Sequence, residues 1–221
     1  MSTELGVLSS RYSGPTEQAL GTDIVERCTA FGSKNVAQLE PRYQEIARLG
    51  RMYSISTAGG TAKAPVASVG TTTAAFALFN GNAATTRYQI VLIEVAVFIV
   101  SGTPALGGSV MMGMSPTVQA AAVSGYSGVV GPKSLSGSTS RTSQAVIGGA
   151  ITLAGAPVWT QIGNIQAIAA GDVGHGGTYN VDGRVIIPPQ FACGFTVMAA
   201  AGTTPLYGWA FTFAEYQTDP Q

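Results

Sequence analysis

The residue types that carry most enzymatic and metal chemistry are scarce in this chain, which holds one histidine, His175, and two cysteines, Cys28 and Cys193, in 221 residues. That count excludes a multi-histidine metal site and makes any triad or dyad scheme depend on His175 alone. The densest polar cluster is Gly171-Asp172-Val173-Gly174-His175-Gly176-Gly177, followed by Asp182. Glycine-rich backbone lets short ligands converge, so Asp172, His175 and Asp182 form one candidate cation site, set against the plainer reading of a loop between two strands. Two carboxylates are few for calcium. His175 as a general base lacks a legible nucleophile and orienting partner. The expectation is no catalytic residue, no cofactor and no metal. Cys28 and Cys193 lie far apart in unlike surroundings and read as reduced, partly buried thiols. Glycine pairs at Gly59-Gly60, Gly107-Gly108 and Gly148-Gly149 do not sit between a buried strand and a helix, so the dinucleotide and phosphate-loop readings fail on context. The most unusual single charge is Glu94, inside an apolar run. It either pairs with a buried arginine such as Arg51, Arg87 or Arg184, or marks the solvated or interface-facing side of its strand.

Eleven Lys/Arg balance eleven Asp/Glu, and charged residues make up 10% of the chain, against about 25% in a typical soluble domain. There is no basic excess to neutralise a phosphate backbone, which argues against nucleic-acid binding. No run of about 18 uncharged apolar residues is present, nor a basic start leading into an apolar core, so neither a membrane span nor a secretion signal is expected. Six cations (Arg11, Arg27, Lys34, Arg42, Arg48, Arg51) and six anions (Glu4, Glu17, Asp23, Glu26, Glu40, Glu45) fall in the first 51 residues. That zone is expected to be an N-terminal arm, residues 1–51, with short helices at 23–31 and 41–49, where Pro41 suits a first helical position. Its apolar stripe of Tyr43, Ile46, Ala47 and Leu49 is too small for a core of its own, so the arm should lie on the second zone or on a neighbour.

Residues 52–221 read as β. Tyr88 to Val100 is an apolar, β-branched run broken only by Glu94 and Ala96, which predicts a strand buried on both faces for much of its course. Ser101-Gly102-Thr103-Pro104 ends it, and Gly108 to Met114 offers a return strand, which predicts a hairpin. Thr73 to Phe79 is another strand, closed by the Asn80-Gly81-Asn82 turn signal. Gly183 to Ile187 and Phe191 to Ala200 are strands separated by Pro188-Pro189. Tyr207, Trp209, Phe211 and Phe213 alternate with Gly208, Ala210, Thr212 and Ala214, which puts four rings on one strand face. Those rings either fill a sandwich core or form an exposed carbohydrate-stacking platform. From Pro116 to Gly183 the chain is rich in Gly, Ala and Ser and shows no strand order; Val118 to Val123 and Val158 to Ala170 are open between short helices and loops.

Val-Asp-Gly-Arg-Val-Ile-Ile-Pro-Pro at 181–189, Phe191 to Ala201, Gly-Thr-Thr-Pro-Leu-Tyr-Gly-Trp at 202–209 and Phe-Thr-Phe-Ala-Glu at 211–215 resemble the closing strands of jelly-roll-like virion structural proteins of tailed phages. The Leu78-Phe79-Asn80 turn, the long strand after it, Ser-Gly-Thr-Pro at 101–104 and the lead-in from Arg42-Tyr43 to Tyr53 look similar to the earlier part of those proteins. Gln190 departs from the pattern, since glycine would be more comfortable after the proline pair. The resemblance implies an all-β, two-sheet jelly-roll-like sandwich after the arm, and a non-enzymatic virion subunit of capsid, decoration or tail-associated type. It also implies a trimer of like copies beside other virion proteins, and it transfers no catalytic residue. A folded chain of this size exposes on the order of 9,500 Å², which ten charges from the β zone can decorate only sparsely, and a neutral surface favours association. The competing expectation is a glycan-binding or adhesin module for host surface glycans, using the aromatic strand or the Asp172–Asp182 loop. A hydrolase centred on His175 is the third.

Overall fold

The computed structural model describes residues 43, 46–47, 49–57, 62–70, 72–104, 106–119, 130–132 (backbone only), 142–168, 176–199 and 205–217. Most of the expected arm, with Cys28 and the 23–31 helix, lies outside them. Of the 41–49 helix, a single helical turn at Ile46-Ala47 falls inside them.

Ten strands are present among the described residues: β1 (Met52–Ser56), β2 (Thr73–Asn80), β3 (Tyr88–Ser101), β4 (Gly108–Met114), β5 (Val130–Pro132), β6 (Ala145–Thr152), β7 (Val158–Ile165), β8 (Gly176–Ile187), β9 (Ala192–Met198) and β10 (Leu206–Gln217). They form two antiparallel sheets in the orders β5-β1-β10-β3-β8 and β6-β2-β9-β4-β7. β1 pairs with β10, β2 with β9, β3 with β8 and β4 with β7, all antiparallel. The chain therefore behaves as one long hairpin whose arms were paired end to end and then rolled, so that successive strands cross between sheets. This nesting of eight strands is the jelly roll. β5 and β6 are an insertion between β4 and β7, each added at an edge of one sheet.

The expected hairpin between Tyr88–Val100 and Gly108–Met114 does not form. β3 already has β10 on one side and β8 on the other, while β4 lies between β9 and β7 in the opposite sheet. The Ser101-Gly102-Thr103-Pro104 break is an arch over the sandwich end instead of a tight turn. Gly102 and Gly107 take positive φ (76° and 67°), and the Gly107 amide bonds the Pro104 carbonyl at 3.0 Å. The stretch without legible strand order contains β5, β6, β7 and most of β8, so Val158 to Ile165 is strand, neither helix nor loop.

β3 is also not buried on both faces. Ile90 and Leu92 point into the core, and so do Val95 and Val97; the parity of the inward set switches between Leu92 and Val95. Register places Thr212 opposite Glu94 and Phe213 opposite Leu92, leaving Ile93 as the extra residue of a bulge. A bulge re-aims every side chain beyond it. Without it Glu94 would share the inward parity of Leu92; with it Glu94 is turned outward, together with Ala96, Phe98 and Val100.

The core between the sheets is dominated by the β10 rings. Tyr207, Trp209 and Phe211 are each 1% exposed and Phe213 is fully buried. Phe211 meets Phe195 of β9 at 4.6 Å between ring centroids, and Phe213 stacks on Tyr53 of β1 at 5.7 Å. Each ring contributes roughly 2–3 kcal/mol through burial. A smaller apolar cluster on the second sheet, Ala74, Ala77, Phe79, Ile151, Leu153 and Ala192, is flanked by Val146 and Trp159.

Candidate functional site

Asp172 and His175 lie outside the described residues. Asp182, the third member of the candidate cation site, is exposed and accepts a hydrogen bond from the Tyr43 hydroxyl at 3.1 Å. It belongs to a four-residue excursion of β8: register jumps from Val185 to Asn180 while β3 advances only from Leu92 to Glu94. Asp182 and Gly183 both take positive φ, 54° and 75°, as the Asp-Gly pair favours at a two-residue turn. Arg184 closes the excursion by donating to the Val181 carbonyl at 3.0 Å and the Asn180 carbonyl at 3.3 Å. The extended run Gly176–Asn180 alone spans about 13 Å, which separates Asp182 from the start of β8. Among the described residues no three His, Cys, Asp or Glu side chains are grouped to hold a metal ion.

The exposed carbohydrate platform is overturned, because all four rings of Tyr207, Trp209, Phe211 and Phe213 are sealed in the core. Glu94 is half-exposed on the outer face of β3, between Thr212 of β10 and Asn180 of β8. Of its candidate partners, Arg51 stands beside Tyr216 and Arg184 is engaged by carbonyls of its own strand. The buried carboxylate is instead Glu215, 1% exposed, which accepts from the Ser143 hydroxyl. The sequence showed it only as the polar end of the aromatic strand. Cys193 is fully buried, and burial pushes its thiol well above the ordinary range, so it is an inert core residue and not a nucleophile.

The most organised polar centre was read in the sequence only as a turn. Asn80, 0% exposed at the end of β2, donates its amide to the Tyr88 and Ile187 carbonyls, both at 2.9 Å. Its side-chain oxygen accepts from the Asn82 backbone at 3.1 Å and the Asn82 amide at 2.8 Å. All four side-chain valences are filled, and they tie β2 in one sheet to β3 and β8 in the other. Beside it Phe191 donates to the Pro188 carbonyl at 3.1 Å and Gln190 takes φ 67°, which is a type II turn with a non-glycine residue where glycine is usual. Gln190 is held there by its amide on the Asn80 carbonyl at 2.8 Å and its side chain on the Asn82 carbonyl at 2.9 Å.

Two surface features remain. A shallow cleft of about 430 Å³ is lined by Leu106, Gly107, Gly108, Ser109, Asn164, Met198 and neighbours, none of them charged. The outer face of β3 and β8 carries Phe98, Val100 and Ile186, exposed at 36%, 38% and 47%, and the charges of these two strands are Glu94, Asp182 and Arg184. The Phe98 ring lies across β10, where a Cβ on Gly208 would come within 2.4 Å of it. This arrangement can hold another surface by apolar contact. No family model matches the sequence, and no curated protein matches it.

Proposed function

We propose that this protein is a non-enzymatic structural subunit of a virion, of capsid, decoration or tail-associated type, that assembles through neutral apolar interfaces with copies of itself. The observation that carries the reading is the sealed jelly roll whose outer β3–β8 face exposes Phe98, Val100 and Ile186, with three charges, Glu94, Asp182 and Arg184, in the two strands. Jelly rolls serve as shell proteins, lectins and cupins, and fold alone does not choose among them. Cupin-type metal chemistry draws on several histidines, and this chain has one. The four rings of β10, the stacking platform a lectin reading would use, are core. A shell subunit needs only a rigid body with apolar, neutral contact surfaces, which the low charge content supports. The virion setting comes from the resemblance of residues 181–215 to closing strands of phage structural proteins, and a trimer is the building unit that resemblance implies. Electron microscopy of the purified full chain, with mass measurement in solution, tests the proposal. Ordered symmetric particles, spikes or tubes are expected; a dispersed monomer at high concentration with saturable small-ligand binding would overturn it.

A further inference from the structure

We propose that Asn80-Gly81 is a deamidation site that the native fold silences and that, once modified, bars the chain from refolding. Asn80 is the one asparagine of five that precedes glycine; Asn35, Asn82, Asn164 and Asn180 precede Val, Ala, Ile and Val. With no side chain on the following residue, ring closure is unhindered. The Gly81 nitrogen loses its proton and attacks Asn80 Cγ, the N–Cγ bond forms and the Cγ–Nδ2 bond breaks. Ammonia leaves, and water opens the imide to give aspartate or isoaspartate at position 80.

The folded protein blocks each requirement. The Gly81 amide is donated to the Gln144 carbonyl at 3.1 Å, the Asn80 side chain is clamped by four hydrogen bonds, and its 0% exposure keeps water out. The same clamp makes the product incompatible with the fold. An aspartate presents no donor to the Tyr88 and Ile187 carbonyls and aims a charge at both. An isoaspartate lengthens the main chain where even a Cβ on Gly81 would come within 2.5 Å of the Gln144 carbonyl oxygen. Time spent unfolded is thereby recorded covalently, and modified chains are excluded from the native pool. This inference stands independently of the virion reading.

The full chain is incubated at mildly alkaline pH in native buffer and in guanidinium, digested, and the peptide holding residues 80–81 is followed by mass and by isoaspartate content. The other asparagines serve as internal controls. If reaction requires global unfolding, the native rate is the denatured rate scaled by the unfolded fraction, ~10⁻³ or less. A loss of about that size in native buffer, with Asn80 leading the other four in guanidinium, is expected. Equal rates in the two buffers would overturn the proposal. The variant Asn80→Asp, obtained by expression, gives a second readout that needs no refolding step: it is expected to be unfolded at neutral pH, and a native-like sandwich there would refute the exclusion of modified chains.

Discussion

Two buried hydroxyls test how this core is balanced at single atoms. Tyr207 and Thr196 hold side-chain oxygens that are buried without a hydrogen-bond partner among the described residues. An unmatched buried polar atom costs about 1–3 kcal/mol, so removing it at constant shape should stabilise. Tyr207→Phe and Thr196→Val should each raise stability by about 1 kcal/mol, measured by denaturant unfolding; a loss from either would show that the oxygen is satisfied. Alkaline pH acts on the same interior. Burial raises the Cys193 thiol above its ordinary 9.0, and raises Tyr179, Tyr207 and Tyr216 above 10.0. A raised folded value means that the unfolded chain releases its proton first. The stability is fully present below pH 9 and falls as pH rises through 9 and then 10. The slope approaches about 1.4 kcal/mol per pH unit for each group titrating. Equilibrium unfolding across that window checks the sign, and Cys193→Ala should remove the earlier part of the decline. A profile flat to pH 11 would contradict the burial of these groups.

At the scale of elements, the two sheets are joined along one open side by Tyr179 of β8. Its hydroxyl donates to the Asn164 carbonyl of β7 at 2.8 Å, and its ring lies where a Cβ on Gly163 would stand 1.9 Å from Cε1. Gly163→Ala must push the ring off the edge strand and break that bond. It should cost about 1–3 kcal/mol, the range for overpacking, whereas Tyr179→Ala relieves the clash, so the double variant should lose less than the sum of the singles. Additive losses would indicate that ring and glycine are not in contact. The bulge at Ile93 is the element-level device that keeps Glu94 outside, and the helical turn at Ile46-Ala47 leads into β1 through the Arg51 amide, which bonds the Ile46 carbonyl at 3.1 Å.

For the whole molecule, the scarcity of charge sets the response to salt. Associations built from ion pairs weaken as screening shortens the Debye length to about 3 Å at 1 M. With Glu94, Asp182 and Arg184 as the charges of β3 and β8, the proposed assembly should survive about 1 M sodium chloride unchanged, read by light scattering or particle counts. Dissociation at high salt would point to contacts carried by charged residues elsewhere in the chain. The nested topology makes its own demand: β1 must find β10 across almost the entire described chain, and such non-local pairing places folding in the millisecond-to-second range. The chain consequently spends time open with Asn80 exposed.

The sequence by itself determined the β class, the strands β2, β3, β4, β9 and β10 and the placing of four rings on one face of β10, because those depend on period-2 alternation, branched side chains and turn residues, all local. β10 was legible for that reason, as was the end of β2. It also bounded the chemistry, since one histidine limits what any fold could assemble. Only the tertiary structure decided which strands pair. A hairpin and a crossing arch start from the same Ser-Gly-Thr-Pro break, and the choice is made by β8 and β10 occupying both sides of β3. β6 and β7 were hidden because Gly148, Gly149 and Gly163 carry no pattern of their own; Gly163 sits where the Tyr179 ring needs the room. That Glu94 faces outward was one of two readings the sequence left open; the bulge that decides it was hidden, since no periodicity within the strand reports one extra residue. Asn80 was readable as a turn former. That it is a buried hub follows from carbonyls 8 and 107 residues away in sequence, brought to it only when the two sheets close.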